Sequence, residues 1–181
     1  MTVFIGLLRG INVGGHATLP MADLRRIAGQ AGLSDVKTYI QSGNLVFTSS
    51  RRDEQGLADD LTAAIKADAG IEPAVVLRTL AHWQQAISSN PYAVGAVDPK
   101  SLHVCFFADT PPNDVLDGIE LSAYEPEAAQ VVGRQLYYFL PNGLGRSKLA
   151  ADLSRRKPIK AGTVRNWRTV QKLAELAHEL R

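Results

Sequence analysis

The sequence predicts an α+β fold of two small units in tandem, and three observations predict it. Strand-like and helix-like segments alternate in the order βαββαβ over residues 1–80. A weaker version of that order, βαββα with an added helix, occupies residues 101–181. Between them, residues 81–100 hold one helical stretch and a linker, NPYAVGAVDPK, whose prolines and glycine interrupt regular structure.

In the first half, Val3, Ile5 and Leu7 alternate with Phe4, Gly6 and Leu8. A strand apolar on both faces belongs in the middle of a sheet. Pro20 opens a helix whose apolar face is Met21, Leu24, Ile27 and Ala31, with Gly32 suited to its C-terminal cap. Residues 36–40 and 45–49 read as the second and third strands, joined by the hairpin chemistry of Gln41-Ser42-Gly43-Asn44. A helix follows from Asp53 to Ala69, with Leu57, Leu61 and Ile65 as its stripe and Gly70 as its end. Residues 74–78 make a fourth strand. With right-handed crossovers, this order is the split-βαβ, or ferredoxin-like, arrangement. It sets the first strand antiparallel beside the third, so the loop at 9–15 meets the hairpin at 41–44.

The second half is read in the same way. A helix at 80–89 precedes the linker, and residues 102–108 form a strand. Pro111 and Pro112 start a short helix over 112–119. Residues 129–133 and 135–140 form a hairpin about Gly133-Arg134. A helix runs over 147–156, a short strand over 159–164 and a last helix over 167–180, with Trp167, Val170, Leu173, Ala177 and Leu180 on one face. The expected whole is two ferredoxin-like subdomains in tandem with an extra C-terminal helix, the first over 1–80 and the second over 101–181.

Composition narrows the function. Of 181 residues, 45% are hydrophobic and 21% charged, the balance of a globular chain. No apolar run approaches the ~18 residues that cross a bilayer, and the N-terminus lacks the charge and cleavage pattern of a signal peptide, so a cytoplasmic location with no membrane partner is expected. Cys105 is the one cysteine, which excludes an internal disulfide and a cysteine-based zinc site; it sits in LHVCFF and reads as a small buried side chain. The net charge of +2 hides a polarity. Residues 101–140 carry one Lys/Arg against six Asp/Glu, and residues 141–181 carry ten against three. A tail of that sign is an anion-attracting surface.

Three stretches carry candidate chemistry. LLRGINVGG ends the first strand in Arg9, Asn12, Gly14 and Gly15, where glycine lets a ligand approach the main chain and Arg9 can fork two hydrogen bonds to a phosphate or carboxylate. Gln41, Ser42 and Asn44 lie beside it by topology. PNGLGRSKL leads through two glycines to Ser147, an N-cap whose helix start suits an anion, with Arg146 and Lys148 adding charge. GTVRNWRTV places Arg165 and Asn166 at the start of the last helix, Asn166 as its cap. The strand ends at 140 and 164 share a pole, so the last two stretches converge. The chain lacks a Walker A loop, a dinucleotide fingerprint, H-E-x-x-H and G-x-S-x-G, and its four histidines do not cluster. No cofactor and no metal are expected.

LLRGINVGG, TYIQSGNLVF and TVRNWRTV, in that order, resemble the bacterial domain-of-unknown-function family numbered 1697. The resemblance runs from the first strand to the last helix. It implies a two-part α+β fold with ferredoxin-like subdomains in a cytoplasmic bacterial protein, and it brings no established activity.

Three classes of function stay open. The polar groups in the three stretches are amides, hydroxyls and cations, which favour binding an anionic small molecule, nucleotide or nucleic acid. The second class is an enzyme acting on a phosphorylated or carboxylated small molecule clamped by Arg9, Arg146 and Arg165. The third is an interaction or assembly protein whose loops are structural only, which internal pairing of those side chains would favour.

Overall fold

The computed structural model describes residues 1–92 and 94–181; Ala93, in the expected linker, lies outside the described residues. The elements in chain order are β1 (Thr2–Arg9), α1 (Met21–Gln30), β2 (Ser34–Tyr39), β3 (Asn44–Ser49), α2 (Glu54–Ala69), β4 (Ala74–Thr79), α3 (Leu80–Ser88), β5 (Leu102–Phe106), β6 (Ala128–Val132), β7 (Gln135–Phe139), α4 (Lys148–Leu153), α5 (Lys157–Ala161), β8 (Thr163–Asn166) and α6 (Trp167–His178). They form two compact units. The first comprises residues 1–85 and 172–181, and the second residues 86–171. The division falls inside α3 and α6.

The first unit holds a sheet of order β2-β3-β1-β4, antiparallel at every pairing. β1 is buried over six consecutive residues, as its two apolar faces require. Phe4, Leu8, Leu45, Phe47 and Leu77 point to one face of the sheet. Leu24 and Ile27 of α1 and Leu57, Leu61 and Ile65 of α2 cover that face. The Phe4 and Phe47 rings stack with centroids 5.4 Å apart. α2 is bounded as its sequence dictates: the Asp53 carboxylate accepts from the Gly56 amide at the N-cap, and Gly70 closes the helix at φ 69°. α1 ends earlier than its apolar spacing predicts. Ala31 is exposed beyond the last turn, and Ala28 completes the buried stripe instead.

The second unit repeats the topology, with sheet order β6-β7-β5-β8 and antiparallel pairing throughout. Cys105, Leu136 and Tyr138 of the sheet pack under Leu149 and Leu153 of α4 and Ile159 of α5. Cys105 is fully buried. A Cβ at Gly162 would overlap Cys105 Sγ, so only glycine lets the start of β8 lie this close to β5.

Three expected elements differ. No helix forms over 112–119. Val115, Asp117 and Ile119 donate to residues three back, Pro112, Asp114 and Leu116, and Gly118 turns the chain at φ 72°. Short polar side chains and two prolines favour such turns over a continuous helix. The helix expected over 147–156 stops at Leu153, where Arg155 and Arg156 bond three residues back and Ser154 Oγ donates to the Ala151 carbonyl. The strand expected over 159–164 is split. Pro158 sits in the first turn of α5, and β8 begins only after Gly162.

Candidate functional site

The expected meeting of loop and hairpin in the first unit is present. Leu7 is in register with Asn44, and the Leu8 amide donates to the Gly43 carbonyl at 2.7 Å. Asn12 fastens the loop, with its backbone in the left-handed region at φ 53°. Its Nδ2 donates to the carbonyls of Leu19 and Gln41 at 2.9 and 2.8 Å, and its Oδ1 accepts from the Leu19 amide at 2.8 Å. Asn44 is fully buried and donates to the Tyr39 carbonyl and to Ser42 Oγ. Asn12, Ser42 and Asn44 therefore hold the corner together. Gly14 and Gly15 form its exposed tip at φ 61° and 76°, and Gln41 keeps its side chain at the surface. Arg9, exposed at the end of β1, lines a cavity of about 260 Å³ with Gly10, Ile11, Ile71 and Glu72.

The second pair of stretches also converges, within the second unit. β7 and β8 flank β5, and His103 is in register with both Tyr138 and Asn166. The Leu140 amide donates to the Ser101 carbonyl at 2.7 Å, tying the exit of β7 to the entry of β5. One pole thus gathers residues 98–101, 140–148 and 165–168. Ser147 caps α4 by accepting from the Ala150 amide, and Glu127 Oε2 accepts from the Leu149 amide at 3.1 Å. The first-turn amides of α4 that were expected to face a ligand are engaged by the protein's own oxygens. Asn166 Oδ1 accepts from the Thr169 amide, the expected cap. Arg165 is half-buried, donates to the Val164 carbonyl, and is pulled down to about 10 by desolvation.

What this pole leaves at the surface is charge. Arg146, Lys148 and Arg168 are exposed, as is Lys100 just before β5. None of the four has a hydrogen bond or ion pair from its side chain to a described residue. The first unit contrasts with this. There Arg26 pairs with Asp68, Lys37 with Glu179, Arg51 with Asp60, Lys66 with Glu72 and Lys172 with Glu175. Asp98 at the second pole accepts from the Lys100 amide, so its carboxylate, like that of Glu127, sits on a backbone donor. Trp167 is buried, a core residue rather than an exposed stacking surface.

Sequence reading passed over two residues of this pole. Lys100 sits in the linker, with no motif around it. His103 lies inside an apolar run and is buried, 8% exposed, with the Ser101 backbone beside its ring. Desolvation lowers its pKa from the ordinary 6.5, partly opposed by a backbone contact with Ser101, so the ring is neutral near pH 7. Its alternation with buried neighbours hides it as a core position. Only the register with Asn166 reveals its place.

Fold and site together define an α+β protein of two antiparallel split-βαβ units with polar, glycine-rich corners. The chain belongs to the DUF1697 family of proteins of unknown function, whose sequence model matches residues 1–137. A conserved bacterial protein from Streptococcus pneumoniae has a similar solved structure, with a TM-score of 0.81 at 23% identity over 98% of this chain and 99% of that one. At that identity the likeness is one of fold. No curated protein matches the sequence. Among the described residues, no helix is long and apolar enough to cross a membrane.

Proposed function

We propose that the protein binds a phosphate-bearing anion, a nucleotide or nucleic acid, at the second unit's pole. The observation that carries this reading is the set Lys100, Arg146, Lys148 and Arg168. They are four exposed cations from three converging segments, without side-chain partners among the described residues. Most lysines and arginines on the surface of the first unit are ion-paired, although exposed Arg52 is not, and here the nearby carboxylates of Asp98 and Glu127 are held on backbone amides. Unpaired cations gathered at one place attract phosphate and release counterions when it binds. Contact through phosphate fits better than base stacking on a sheet. Phe4, Phe47, Phe106, Tyr137 and Tyr138 are all buried, and an RNA-binding sheet needs its aromatics exposed. In this reading the first unit's corner, whose asparagines bond its own backbone, serves architecture.

Fluorescence anisotropy with labelled nucleotides and oligonucleotides over a salt series tests the proposal. Affinity falls with salt at a slope of about −0.9 per phosphate neutralised, so a ligand engaging all four cations gives about −3 to −4. Arg146→Ala with Lys148→Ala shallows that slope by about 2. Absence of binding at low salt refutes the reading.

A further inference from the structure

The loop that Asn12 fastens also walls the cavity of about 260 Å³ beside Arg9 in the first unit. Arg9 is in register with Ala74, so the end of β1 and the start of β4 meet there, and residues 71–74 complete the lining. The lining has two characters. Ile11, buried, and Ile71, half-buried, supply apolar surface. Arg9 and Glu72, both exposed, bring a guanidinium and a carboxylate to the same small space. Glu72 Oε2 pairs with Lys66 Nζ at 2.7 Å, and its other carboxylate oxygen has no partner among the described residues. The main chain is accessible as well. A Cβ at Gly10 would meet nothing within 4 Å, and the backbone there is left-handed at φ 79°. Ala17 lines the same cavity at φ 50°, a conformation that alanine seldom adopts. The Asn12 amide holds it there by donating to the Ala17 carbonyl at 3.1 Å. Backbone strain of this kind gathers at ligand clamps.

We propose that this cavity binds a small zwitterion, a free amino acid with an apolar side chain. Arg9 forks its donors to the ligand carboxylate, the second oxygen of Glu72 accepts from the ligand ammonium, and the side chain lies against Ile11 and Ile71. A simple anion would bring like charge up to Glu72, and a simple amine would bring it up to Arg9; a zwitterion satisfies both. The space is below the ~300–1,000 Å³ of drug-sized sites, which suits an amino acid better than a nucleotide. The site lies wholly within the first unit, so it stands or falls independently of the phosphate reading of the second.

The test titrates three probes into the full chain: leucine, isocaproate, which lacks the ammonium, and isoamylamine, which lacks the carboxylate. Calorimetry shows leucine binding at least about tenfold more tightly than either. Arg9→Gln removes the advantage of leucine over isoamylamine and keeps its advantage over isocaproate, and Glu72→Gln does the reverse. Both side chains are exposed, so both variants keep the wild-type circular dichroism spectrum. Nitrogen NMR of the wild-type protein needs no variant: the amide signals of Gly10 and Ala17 shift with leucine. If millimolar leucine leaves those signals in place, if the three probes bind equally, or if each variant weakens all three alike, the inference fails. No probe carries a phosphate, so none of these results bears on the cations of the second unit.

Discussion

Replacing Asn12 by alanine tests whether one side chain holds the first unit's corner. The wild-type amide makes three hydrogen bonds of 2.8–2.9 Å, to both backbone groups of Leu19 and to the Gln41 carbonyl 29 residues away. At about 1 kcal/mol net for each, their loss costs about 3 kcal/mol. Alanine must also sit at φ 53°, a left-handed backbone that asparagine tolerates better, which adds about 1 kcal/mol. The expected total is about 4 kcal/mol, or about 8–16 °C in Tm for a chain of this size. Urea unfolding measures it through the fluorescence of Trp83, buried in the first unit, in a Trp167→Phe background. Asn12→Gly accepts the left-handed backbone and recovers about 1 kcal/mol of the loss. A measured loss under about 1 kcal/mol for Asn12→Ala would show that water replaces these bonds and that the corner stands without its clip.

Two further outcomes follow from the second unit. Gly162→Ala forces a Cβ onto Cys105 Sγ, with Phe107 also close, although the backbone at φ −77° suits any residue. It destabilises by about 2 kcal/mol through overpacking, and Cys105→Ala in the same chain recovers at least about 1 kcal/mol; simple additivity in the double-mutant cycle would contradict the close contact. The buried His103 makes stability depend on pH. Its folded pKa lies below the ordinary 6.5, so as pH falls through that value the unfolded chain takes up a proton that the folded chain refuses. Stability is therefore full above about pH 7 and declines as pH falls below 6.5. The urea midpoint followed from pH 7.5 to 5.5 should fall more steeply in wild type than in His103→Asn, and identical slopes would mean that the ring titrates normally.

Local chemistry made the first unit legible. Asp53 and Gly70 bracket α2 because a carboxylate at the N-cap and a glycine in the left-handed region act on their nearest neighbours alone. The Gly133-Arg134 hairpin was readable for the same reason. Residues 112–119 and 159–164 were not, since proline starts a helix and a turn alike and the choice depends on what packs above it. The corners were located correctly in sequence, because topology forces the end of β1 beside the start of β3. What their asparagines do was hidden. A loop that bonds its own carbonyls and a loop that grips a ligand both need glycine and asparagine at the same places. His103 was missed for the opposite reason: a polar side chain in an apolar strand looks like filling until the register shows what it neighbours.

The first unit is completed by residues far apart along the chain. Lys37 of β2 meets Glu179 across 142 positions, and Gln84 of α3 meets His178 across 94. Residues 172–181 belong to this unit, with the whole of the second unit between them and Gln85. As the chain leaves the ribosome, the sheet β2-β3-β1-β4 emerges long before the helical end that joins it. The second unit is an uninterrupted segment, so it can close while the earlier one still waits for its last ten residues.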